Sequence, residues 1–176
     1  MKKNIVSVDD AFNLLKELNA PVHLITHVKL VSEAAEEIME KLSNSGISLD
    51  YDFIRISIIL HDIGKIIHIS ELNAPGHCHE EEGEKILLKL GVDTRIARCC
   101  LSHANYNKMI CSTEELIVAL ADKLWKGKRD ETLELMVIDE AAKELGRKRW
   151  DIYMDLDECF ECVAAKGHER LSRSFK

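Results

Sequence analysis

The fold is decided by the stretch Pro21–Gly46, PVHLITHVKLVSEAAEEIMEKLSNSG. In it Leu24, Val28, Val31, Ala35, Ile38 and Leu42 recur at alternating steps of four and three. That spacing lines one face of a helix turning every 3.6 residues, so the segment reads as one long amphipathic helix. Pro21 suits its start, because a missing N–H has no intrahelical partner there in any case. Asn44-Ser45-Gly46 marks its end. Before it, a shorter helix from about Val8 to Leu18 stops at Asn19-Ala20-Pro21. After it, Asp50 or Asp52 caps a helix through Phe53, Ile56, Ile59 and Leu60, with Gly64 as its stop.

Ile66 to Gly76 reads as a loop, and helical periodicity then resumes. Helices are predicted from about Cys78 to Leu90, Asp93 to His103, Ser112 to Trp125, Glu131 to Leu145 and Trp150 to Leu171. The Ser112-Thr113-Glu114-Glu115 run is a capping signal for the third of these. No period-two alternation is long enough for a strand. The expected fold is therefore all-α, a single-domain helical bundle over residues 1–176, a length that suits one domain at roughly 150 residues each.

Composition narrows the class further. Hydrophobic residues make up 46% and charged residues 31%, with two prolines and eight glycines, which excludes a disordered or collagen-like chain. Asp and Glu number 31 against 24 Lys and Arg, a net charge of −7 that disfavours a nucleic-acid polymer as partner. The longest apolar run, Phe53–Leu60, contains Arg55 and falls short of the roughly 20 residues that span a bilayer, so no membrane partner is expected. Six cysteines follow a start, MKKNIVSVDD, without the apolar centre of a secretory signal, so the expectation is reduced thiols in the cytoplasm. Cys159 and Cys162 have no second pair at zinc-ribbon spacing and read as packing or plain helix positions.

Four residues conflict with their surroundings. His27 lies beside the apolar face of the long helix, His61 and Asp62 end an apolar helix, and Asp122 interrupts Leu116–Leu124. An isolated buried carboxylate costs several kcal/mol unless it is paired or binds a metal. Taken singly, each is a hydrogen-bonded core histidine or a capping aspartate. Together they point to a divalent cation.

The contexts of these residues are HVKLVSEAA for His27, LHDIGK for His61-Asp62 and ALADKL for Asp122; His79 in HEEEG and His103 in LSHANY complete the series. In this order the chain resembles the HD-domain superfamily of metal-dependent phosphohydrolases over residues 27–122. The resemblance implies a bundle with a central metal site, a ligand-bearing core over about 21–130 and additional helices over 131–176. It assigns one divalent ion to His27, His61, Asp62 and Asp122, and a second to His79 and His103 with Asp62 bridging. Mixed imidazole and carboxylate ligation suits Mn, Fe, Ni, Co or Zn. His79 is preferred over His77 because the family places a glycine four residues on, and Gly83 stands there.

The activity so implied is hydrolysis of a small phosphoester, a nucleotide or nucleotide-like phosphate, by hydroxide formed at the cations. Asp62 and Lys65 take the catalytic roles, with Lys65 also meeting the phosphate as a point charge. Lys126 and Arg129 share a face with Asp122 if the helix runs past Gly127, and otherwise form a solvated helix end. Asn105 and Tyr106 stand where a base or sugar can be met. His23, His68, His77 and His168 read as solvated. The same ligand set also serves a di-iron oxygenase or a non-catalytic nucleotide-sensing module, and the C-terminal helices either complete the pocket or form a homodimer face.

Overall fold

The computed structural model describes residues 3–72 and 74–174. Helix α1 (Val8–Glu17) is capped by Ser7, whose hydroxyl accepts from the Asp10 amide at 3.1 Å. Helix α2 (Val22–Asn44) is preceded by Pro21 in an extended conformation, so the proline stands at the cap rather than in the first turn. Asp50, not Asp52, caps α3 (Tyr51–Leu60) by accepting from the Phe53 amide. Next come α4 (Cys78–Leu90), closed by Gly91 at φ +75°, and α5 (Thr94–Asn105). Helix α6 (Thr113–Leu124) carries the reciprocal Ser112–Glu115 cap, and α7 (Glu131–Glu144), α8 (Arg149–Ala165) and α9 (Gly167–Ser174) follow. Among the described residues there is no strand, and none of these helices is long and apolar enough to cross a membrane.

The centre of the bundle is α2, which packs against α3, α6, α8 and α9. Its predicted apolar face, Leu24 through Leu42, is fully buried at every position. One continuous core runs from Ala11 in α1 to Val163 in α8, so the C-terminal helices share it with the segments that carry the polar residues. Phe160, fully buried, contributes on the order of 2–3 kcal/mol. Helix α9 is docked by Arg170, 2% exposed, which donates to Glu37 of α2 at 2.7 Å and to the Val163 carbonyl at 2.8 Å.

Four local expectations change. The helix expected over Trp150–Leu171 is two, broken at Lys166, because Gly167 lies against the backbone of Gly127; a Cβ on Gly167 would stand 2.2 Å from the Gly127 amide nitrogen. The Ile66–Gly76 loop holds a 3-10 turn at Ile69–Leu72, following another at Ile63–Ile66. Gly64 is not a helix stop: α3 already ends at Leu60, and Gly64 lets the chain press on α4, where a Cβ would meet the His79 carbonyl oxygen at 1.9 Å. Finally, α6 stops at Leu124 and Gly127 turns the chain with φ +79°, so no helix carries Lys126 and Arg129 onward from Asp122.

Candidate metal centre

Four helices aim one polar side chain each at a common point, and His61-Asp62, just after α3, contributes two more. His27 projects from α2, His79 from the first turn of α4, His103 from the end of α5 and Asp122 from the end of α6. Asp62 sits between them and divides its oxygens. Its Oδ2 lies 3.1 Å from His27 Nε2 and 3.5 Å from His61 Nε2, and Asp122 Oδ1 lies 3.3 and 3.6 Å from the same two nitrogens. Its Oδ1 lies 3.1 Å from His79 Nε2 and 3.6 Å from His103 Nε2.

These separations suit a cation rather than direct hydrogen bonds. The buried Nε2 atoms of His27, His61 and His79 and Oδ1 of Asp62 make no well-directed hydrogen bond. A divalent ion about 2.1 Å from each ligand sets its ligands about 3.0–3.4 Å apart, depending on octahedral or tetrahedral geometry. In His61, His103 and His79 the other imidazole nitrogen is held from behind. Nδ1–H donates to the Ile58 carbonyl from His61 (2.7 Å), to the Cys99 carbonyl from His103 (3.1 Å) and to Glu71 from His79 (2.6 Å). Each such bond leaves an Nε2 lone pair facing the centre, the arrangement by which outer partners orient metal-binding histidines.

The electrostatics have the same sense. Burial resists ionisation of Asp62, yet the neighbouring His61, His27 and His79 hold its carboxyl well below the usual range. Burial likewise opposes the charge on Asp122, and the facing His27 and His61 outweigh it, holding the carboxyl well below the usual range. Burial would lower His27, but Asp122 and Asp62 take it up to about 9. His103 goes the other way, to about 4, through burial and the nearby His61. A cluster that raises a histidine in this way is deficient in positive charge.

A cavity of about 350 Å³ opens onto Asp62 and His27 and is lined by Lys65, Lys126, Trp125, Glu71 and His23 among others. Lys65 Nζ donates to Asp62 Oδ2 at 2.6 Å, and Lys126 stands exposed at the rim. Arg129 does not reach this cavity; it donates to Glu134 and Asp157 and belongs to the α7–α8 junction. Tyr106 is likewise turned to Asp130, at 2.6 Å, whereas Asn105 donates to the buried Glu80. A larger cavity, about 590 Å³, is lined by Asn105, Glu80 and Lys108 but by none of the six converging residues. His77 is solvated apart from a bond to Glu80.

Two participants are illegible in the sequence. Glu71 orients His79 and also accepts from the Cys78 and His79 amides, and hydrogen bonding to His79 takes its pKa down to about 2. It comes from a stretch without periodicity, and no residue signal pairs it with a histidine eight positions on. Trp125 packs edge-on to His27, with ring centres 5.1 Å apart, and its buried indole N–H lacks a partner.

The HD domain family matches residues 24–127, which takes in all six converging residues. The chain belongs to the HD domain family. An uncharacterized protein of Methanocaldococcus jannaschii is 29% identical, over 94% of this chain and 90% of its own length. A tRNA (cytidine(56)-2'-O)-methyltransferase of Thermoplasma volcanium is 30% identical over 81% of this chain, which spans 43% of that protein. No solved structure matches. For this HD domain, the histidines and aspartates of the family pattern are the side chains that meet at the centre of the bundle.

Proposed function

We propose that this HD domain is a metal-dependent phosphohydrolase acting on a small phosphoester of nucleotide type. The observation that carries the reading is the division of Asp62 between two histidine groups, His27–His61 with Asp122 and His79–His103, beside a cavity holding Lys65 and Lys126. Two divalent ions, of Mn, Fe, Ni, Co or Zn, bound there supply Lewis acidity to activate water and to neutralise phosphate charge.

The chain's own residues do the rest. Lys65, next to Asp62, pairs with a phosphoryl oxygen, and Lys126 adds positive charge at the rim. The lining of Leu72, Ala74 and Pro75 gives the non-phosphate portion an apolar wall. A cavity of this size suits a small molecule, and the net charge of −7 suits a substrate other than a nucleic-acid polymer. The methylation named for the Thermoplasma relative is not carried over, because this chain spans less than half of that protein.

The test is release of inorganic phosphate from nucleoside phosphates and a generic aryl phosphate by protein reconstituted separately with each of the five metals. Turnover that requires metal and is lost in Asp62→Asn supports the reading. Folded, metal-replete protein that hydrolyses none of these substrates overturns it.

A further inference from the structure

We propose a third cation site formed by His68, Cys78 and Glu71, the last of which also lines the cavity, selective for a soft or borderline ion such as Zn²⁺. One ligand atom from each of the three lies within 4.8 Å of the others. None of the three belongs to the HD series, and the site does not depend on the proposed hydrolysis.

The local backbone explains how Glu71 and Cys78, seven positions apart in the chain, are brought together. The Glu71 amide donates to the His68 carbonyl at 2.9 Å, closing a 3-10 turn in which side chains three apart fall on the same side. The chain then doubles back over Gly76, where any Cβ would stand 2.3 Å from the Glu71 carboxyl carbon. Only glycine leaves room for that carboxylate. It is pinned there by the Cys78 amide on Oε1 (3.2 Å) and by the His79 amide (3.1 Å) and ring on Oε2, so it is a pre-set oxygen ligand with an Oε1 lone pair to spare. His68 and Cys78 supply the nitrogen and sulfur from either side. Zinc–ligand distances of about 2.0–2.3 Å need the three atoms about 1 Å closer together, within reach of side-chain rotation at the partly exposed His68 and the exposed Cys78.

Three protein ligands of N, O and S leave the fourth tetrahedral position to water, and a thiolate favours Zn²⁺ over Mg²⁺ or Mn²⁺. Binding releases the Cys78 thiol proton to solvent. Glu71 is common to this site and to His79, so a cation here draws electron density from the carboxylate that supports the His79 ring. The central site then holds its own ion less tightly.

The experiment uses full-length protein preloaded with Mn²⁺ and titrated with Co²⁺. A thiolate-to-cobalt charge-transfer band in the near ultraviolet, saturating at one equivalent, is expected in the wild type and in Asp62→Asn. It is expected to vanish in Cys78→Ser, an exposed and structurally mild change, and to need at least tenfold more Co²⁺ in His68→Ala. No band, or a band unchanged in Cys78→Ser, overturns the site. Retention in Asp62→Asn separates this outcome from failure of the hydrolysis reading. For the link to the centre, Zn²⁺ is expected to weaken Mn²⁺ binding, followed by the electron paramagnetic resonance of free Mn²⁺, by about fivefold or more in the wild type and not in Cys78→Ser. Equal weakening in both overturns the link.

Discussion

Asp62 carries more of the centre than any other residue, because two histidine groups and Lys65 all face its two oxygens. Asp62→Asn keeps the shape and removes the charge, so metal content measured by atomic emission is expected to fall while the helical circular dichroism persists. Glu71→Gln leaves all six converging side chains of the centre in place but weakens the support of His79. Its expected effect is a loss of about 10–100-fold in metal affinity, read by isothermal titration, with little change in fold. His27 makes the metal-free protein pH-sensitive. Its folded pKa of about 9 lies above the ordinary 6.5, so its proton stabilises the folded state fully below about 6.5, and that contribution is lost as pH rises through 9. The urea midpoint of metal-free protein is expected to fall between pH 7 and pH 10. A midpoint constant over that range would contradict the charge deficit assigned to the cluster. His27, His61, Asp62 and Asp122 were legible because each breaks an apolar stretch, and His79 and His103 through the family resemblance, whereas Glu71 interrupts nothing and becomes visible only through the turn that seats it.

Element ends decide what the centre can hold. Gly64 and Gly83 bring the segment after α3 and the first turns of α4 into backbone contact, with a Cβ on Gly83 meeting Cys100 Sγ at 3.0 Å and the Gly64 amide at 3.2 Å. Gly64→Ala drives a methyl into the His79 carbonyl and is expected to cost about 3 kcal/mol of stability in denaturant melts, and to lower metal affinity by displacing His79. Arg170→Ala is expected to cost about 1–3 kcal/mol, discounted because Glu37 is partly exposed, and to loosen α9 in amide hydrogen exchange while metal binding is retained. Helix existence was readable from apolar periodicity nearly throughout, and so was the end of α6 near Trp125. The break at Lys166 was not, because it depends on the Gly127–Gly167 contact between segments 40 residues apart, and that contact has no local signature.

At the scale of the molecule, the centre lies where five helical segments meet, and it leaves buried polar atoms without partners that a cation can satisfy. Metal binding to the folded state alone contributes about 2.7 kcal/mol at a hundredfold excess over Kd. The thermal midpoint is expected to rise by about 5–10 °C with saturating Mn²⁺ in a chain of this length, and chelation is expected to reverse it. An unchanged midpoint in protein shown to bind the metal would mean that the centre is not coupled to the fold. The sequence by itself determined the helical class, the burial of the α2 face and, with the family resemblance, the ordered series of histidines and aspartates, because helical periodicity, polar residues on apolar faces and short motifs are local signals. Only the tertiary structure decided which oxygen of Asp62 faces which histidine group, that Glu71 stands behind His79, and that Arg129 serves the α7–α8 junction rather than the cavity. Those outcomes depend on which distant segments pack together, and packing is set by the whole core rather than by any window of the chain.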